Sequence, residues 1–82
     1  MLSGAQIRGA RALLGISSKE LAALSGVGWA TIRRLELVDG VPEARKPTLL
    51  ALRSCLMAAG IDFLGDPEHS PGVRLNRVRQ IA

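Results

Sequence analysis

Several residue types are scarce in this 82-residue chain, which has one cysteine, one histidine, one tryptophan, one phenylalanine and no tyrosine. A single cysteine, Cys55, excludes an internal disulfide. The single histidine, His69, stands far from Cys55 in sequence, so no metal set of the usual ligand spacing can be assembled. No apolar run approaches the ~18 residues of a membrane span. The first residues lack the apolar stretch of a signal peptide, and the expectation is a cytoplasmic chain with no membrane partner. There are no paired carboxylates in a plausible cleft, no Ser-His-Asp or Cys-His set and no phosphate-binding glycine loop. Neither an enzyme nor a cofactor is therefore expected.

What is present is aliphatic: 48% of residues are hydrophobic and only 2% aromatic. A core of Leu, Ile, Val and Ala suits small packed helices better than a β-sandwich. The length suits a single domain over 1–82 with a modest core. Eleven basic residues against seven acidic ones give a formal charge of +4. That balance leans toward a polyanionic partner only if the charges are gathered in one place.

Periodicity and punctuation divide the chain. Ile7, Ala10, Leu13 and Leu14 fit one face of a first helix over 4–14, with Gln6, Arg8 and Arg11 between them and Gly15 ending it. Ser17 and Glu20 form a capping box that opens a second helix over 18–25, whose apolar face is Leu21, Ala22 and Leu24. Gly26 supplies a left-handed turn. A third helix over 29–37 follows Gly28, with Val27 and Ile32 spaced as a hydrophobic staple and Ile32 and Leu35 facing inward. Pro47 suits the first position of a fourth helix over 47–59, carrying Leu49, Leu52, Leu56 and Ala59 on one stripe. IDFL at 61–64 and GVRLN at 72–76 read as a short strand pair, though the loop between them is long for a hairpin. The last residues, 76–82, are expected to fray.

Two short helices joined by a tight glycine-bearing turn, with arginines on the second, are the parts of a helix-turn-helix over 18–37. Ala22 lets the third helix approach, Gly26 permits the turn, and Ile32 and Leu35 can pack beneath it. The run IRGARALLGISSKELAALSGVGWATIRRLE, Ile7 to Glu36, resembles the phage-repressor/Cro type, or xenobiotic-response-element family, of helix-turn-helix domains. The resemblance extends fairly well through the fourth helix to Gly60. It implies a mainly α fold, a compact lambda-repressor-like bundle of four helices, here followed by a C-terminal strand pair. It implies that the third helix enters the DNA major groove. By position, Ser18 would contact a phosphate. Trp29, Ala30, Thr31 and Arg34 would face base edges, and Arg45 and Lys46 would grip the backbone. The resemblance also implies that Arg11 pairs with Glu36. Members often carry glutamine in place of Ser18 and polar residues in place of Trp29 and Ala30, and their loop before the fourth helix is shorter. Base preference does not carry over.

Trp29 has three readings: folded onto the core, buried in a protein interface, or set against DNA. The first helical position points away from the Ile32/Leu35 face, which favours DNA. The expectation is an apolar element that prefers A·T steps. Arg33 and Arg34 could be a solvated face, but within this frame Arg34 contacts a base or phosphate, with Arg33 beside it. Arg74, Arg77 and Arg79 form a second basic cluster, either an accessory DNA contact or a soluble tail. Cys55 shares a small-residue face with Thr48, Ala51 and Ala58.

The expected function is a sequence-specific DNA-binding transcriptional regulator, a repressor, reading a near-palindromic operator as a homodimer with half-sites about one helical turn apart. The interface is placed in the C-terminal half, because the IDFL run exceeds the need of a small core and a strand edge invites pairing. The alternative is an antitoxin or protein-interaction adaptor on the same fold, with Trp29 and IDFL as contact points.

Overall fold

The computed structural model describes residues 1–78; Arg79, part of the C-terminal basic cluster, lies outside them. Four helices are followed by two strands: α1 Gly4–Leu14, α2 Ser18–Ser25, α3 Trp29–Glu36, α4 Lys46–Ala58, β1 Ile61–Leu64 and β2 Gly72–Leu75. The fold is mainly α. The strands pair antiparallel, from Ile61 opposite Leu75 to Leu64 opposite Gly72. The radius of gyration, 11.4 Å, is that of a tightly packed chain of this size.

Local chemistry explains the boundaries. Ser17 Oγ accepts from the Glu20 amide while the Glu20 carboxylate accepts from the Ser17 amide, which satisfies two orphan donors at the start of α2. Gly26 closes α2 at φ 76°, a conformation that costs a side-chain-bearing residue energy. Gly28 caps α3. Arg45 caps α4, so Pro47 occupies the second helical position, one residue later than its sequence preference for the first.

Ten buried apolar residues form the core: Leu2, Ile7, Ala10, Leu21, Ile32, Leu35, Leu49, Leu52, Leu56 and Ile61. Three sequence expectations fail here. Leu13 is 44% exposed, because it lies about 100° round α1 from Leu14 while Ile7, Ala10 and Leu14 share the stripe. Leu24 is 65% exposed, because Leu21 and Ala22 take the inward side of α2. Gln6 is buried, although it was expected between the apolar positions. It joins Ser3 in a second capping box, and its Nε2 donates to the carbonyls of Leu64 and Gly72, at 3.4 and 3.1 Å. One side chain thereby closes a helix start and holds the ends of both strands.

The segment 37–45 is strapped over the start of α1. The Gly4 amide donates to Gly40 O at 2.9 Å and the Ala5 amide to Asp39 O at 3.3 Å. Arg8 donates to the carbonyls of Glu36 and Val38 and pairs with Asp39 at 2.5 Å. The strand connection is organised by its own polar groups. Asp66 accepts from the Glu68 amide at 2.7 Å, and its own amide donates to Ser70 Oγ at 3.1 Å. These bonds let a seven-residue link close a hairpin, and the amide of Glu68 holds the exposed Asp66 carboxyl below the usual carboxylate range.

Candidate nucleic-acid interface

α3 is eight residues long and two-faced. Ile32 and Leu35 are fully buried. At 3.6 residues per turn the opposite face carries Trp29, Ala30, Arg33 and Arg34, all exposed, and Leu37 one turn on. Leu37 is 82% exposed. Sequence reasoning left Leu37 out; its spacing of seven from Ala30 was the available signal. A shallow depression of about 270 Å³ runs between Ala30, Arg33, Arg34 and Leu37.

The acid of this helix points the other way. Glu36 accepts from Arg11 Nε and Nη2, both at 2.8 Å, with the two side chains only 9% and 24% exposed. Arg11 also donates to Ile16 O at 3.1 Å. The hydrogen bonds to Glu36 raise the Arg11 pKa, so the guanidinium stays charged. The bridge expected between the first and third helices is present. It leaves the outward face of α3 without a carboxylate.

Trp29 stands at the first position of α3 and is 40% exposed. It does not fold onto the core. Its Nε1 donates to Ser18 Oγ at 2.8 Å. Lys19 Nζ lies 4.7 Å and Arg33 Cζ 5.1 Å from the ring centroid. Both separations are within cation–π range. Ser18, Trp29 and Arg33 are thus brought together, and Lys19 joins them unforeseen. Its position beside Ser18 was visible in the sequence, but its approach to the ring depends on how α2 packs on α3.

Arg34 is exposed, and its Nη1 donates to Glu43 O at 3.0 Å, tying α3 to the segment that leads to Arg45 and Lys46. Arg45 and Lys46 are exposed at the start of α4. The first turn of α4 shares a polar cleft of about 330 Å³ with the α2–α3 turn, lined in part by Gly26, Gly28, Pro47 and Thr48. Thr31 lies half-buried in that cleft, off the face shared by Ala30, Arg33 and Arg34.

The C-terminal cluster is less basic than its sequence suggests. Arg74 bonds Asp62 across the strand pair at 2.9 and 3.1 Å, while Arg77 is exposed. Among the described residues no group of three or more His, Cys, Asp or Glu could hold a metal ion, and no helix is long and apolar enough to cross a membrane. Cys55 is half-buried, and that burial pushes its thiol pKa up. Comparison of the chain with protein-family models, curated proteins and solved structures finds no match to any of them.

Proposed function

We propose that this chain is a sequence-specific DNA-binding transcriptional regulator, a repressor, in which α2 and α3 act as a helix-turn-helix of the lambda-repressor-like kind. The observation that supports it best is the outward face of α3, which carries two exposed arginines and no carboxylate because Glu36 is drawn inward by Arg11. A major groove about 12 Å wide admits one helix. A face with exposed Ala30 and Leu37 beside Arg33 and Arg34 offers apolar contact to thymine methyls and charge-assisted bonds to guanine or phosphate. Arg45 and Lys46, at the start of α4, would flank it on the backbone.

One such face covers only a few base pairs, so the operator would be read by a homodimer. The C-terminal half remains the proposed pairing surface, but for a different reason. Ile61 is fully buried and Phe63 packs against the core, so most of the IDFL run is consumed internally. The outward side of α4, where Leu50 and Met57 are 56% and 38% exposed two turns apart, is the better candidate. Sedimentation at micromolar concentration, with and without duplex, tests this; monomer in both cases refutes it.

A protein-interaction role, as an antitoxin or adaptor, is the second reading. It is favoured by an apolar groove of about 310 Å³ between the ends of α1, α2 and α4, where Leu14, Ile16, Leu24 and Ala58 meet away from the α3 face. Selection of bound DNA from a random duplex pool separates the two. Enrichment of a near-palindrome supports the regulator, and recovery of no motif moves the interaction module to first place.

A further inference from the structure

Trp29 opens the helix proposed to read DNA, yet its indole is already committed within the protein. Its Nε1–H donates to Ser18 Oγ at 2.8 Å. An indole nitrogen only donates, so the hydroxyl oxygen is the acceptor and the Ser18 hydrogen points away from the ring. Among the described residues that hydrogen has no acceptor of its own. Lys19 and Arg33 lie 4.7 and 5.1 Å from the centroid of the same ring. Neither has a carboxylate partner among the described residues. The nearest acids in sequence are otherwise engaged, Glu20 by the Ser17 amide and Glu36 by Arg11.

One hydroxyl and two cations, with no carboxylate among them, therefore surround one aromatic ring. Every base pair presents donors and acceptors side by side in the major groove, whereas a phosphodiester only accepts. A cluster of two unpaired cations and a hydroxyl whose hydrogen is free to donate matches the phosphate. Resting on the duplex-binding reading above, we propose that Trp29 is a positioning residue. It holds Ser18, Lys19 and Arg33 as a clamp for one backbone phosphate and leaves base reading to Ala30, Arg34 and Leu37. This reverses the sequence expectation that Trp29 reads A·T steps. The physical gain is preorganisation: long cationic side chains lose rotamer freedom when they bind, and a ring beneath them removes part of that loss in advance.

The test is duplex titration of the parent and of Ser18→Ala, Trp29→Phe, the Ser18→Ala/Trp29→Phe double variant and Lys19→Gln. Each is measured on the selected site and on a scrambled duplex at two salt concentrations, with folding checked by circular dichroism and urea midpoint. Lys19→Gln should weaken both duplexes alike and reduce the salt slope by about one. Trp29→Phe keeps a ring for the cations but no N–H. It should bind both duplexes roughly two- to tenfold more weakly, with base preference unchanged. The double variant should bind no more weakly than Ser18→Ala, because both changes remove one bond. The proposal is overturned if Trp29→Phe alters preference at a base position while its affinity for scrambled DNA stays at the parent value. Independent addition of the two substitutions overturns it as well. A parent that binds neither duplex overturns the duplex-binding reading itself, a result visible before any variant is made.

Discussion

Replacing Arg11 by methionine should be among the most damaging single changes outside the aliphatic core. The substitution keeps the apolar stem but removes both 2.8 Å bonds to Glu36, whose side chain is only 9% exposed. An orphaned carboxylate at that depth costs about 3–5 kcal/mol; the lower end applies here because Arg11 is 24% exposed and water can enter. A domain of this size holds roughly 5–12 kcal/mol in total, so the loss is a large fraction of the whole. It corresponds to a fall of roughly 12–24 °C in Tm. Glu36→Met leaves a guanidinium that still donates to Ile16 O and still reaches solvent, and should cost about 1.5 kcal/mol. The double variant removes both charges together and should return to within about 1 kcal/mol of the parent. Urea unfolding followed by circular dichroism closes the cycle, with an expected coupling of at least about 3.5 kcal/mol. If Arg11→Met is nearly neutral, or if the two single losses simply add, then Glu36 is not a buried charge that depends on Arg11. The inward pull that clears the α3 face of acid would then lack its physical basis.

Other substitutions probe separate parts of the molecule. Gly4→Ala would place its Cβ 1.9 Å from Val38 O and 2.6 Å from Leu35 O. The 37–40 strap must then lift from α1, at about 2–3 kcal/mol in a urea melt; a loss under about 0.5 kcal/mol refutes the contact. Arg34→Ala should stay within about 1 kcal/mol of parent stability, since the residue is exposed. It should nevertheless weaken duplex binding, either with a salt slope flatter by about one or with lost preference at one base pair. Unchanged affinity at both salt concentrations removes Arg34 from the interface. Burial raises the Cys55 pKa, so a smaller fraction is thiolate at neutral pH than in a small free thiol. Alkylation of the folded protein should therefore be slower than that of glutathione at pH 7 and gain on it as pH rises; equal rates across that range contradict the burial.

The elements themselves were legible in the sequence, because their causes are local. Capping pairs, stop glycines and apolar residues at helical spacing act within four residues. They place α1 and α2 at their observed bounds and α3, α4 and β2 within one residue of them. The inward pair Ile32 and Leu35, the turn at Gly26 and the outward exposure of Trp29 follow from the same short-range geometry. The tertiary structure decided what depends on contacts between distant segments. Gln6 resembles a surface residue until the strand ends, some 60 positions away, bring it carbonyls to hold. Leu24 resembles a core residue until Leu21 and Ala22 fill the inward side of its helix. Whether Trp29 faces solvent was a question of helical phase and could be answered from sequence. That its indole would be bonded to Ser18 and flanked by Lys19 and Arg33 could not, because those distances are fixed by the packing of α2 on α3, set in turn by the core beneath them.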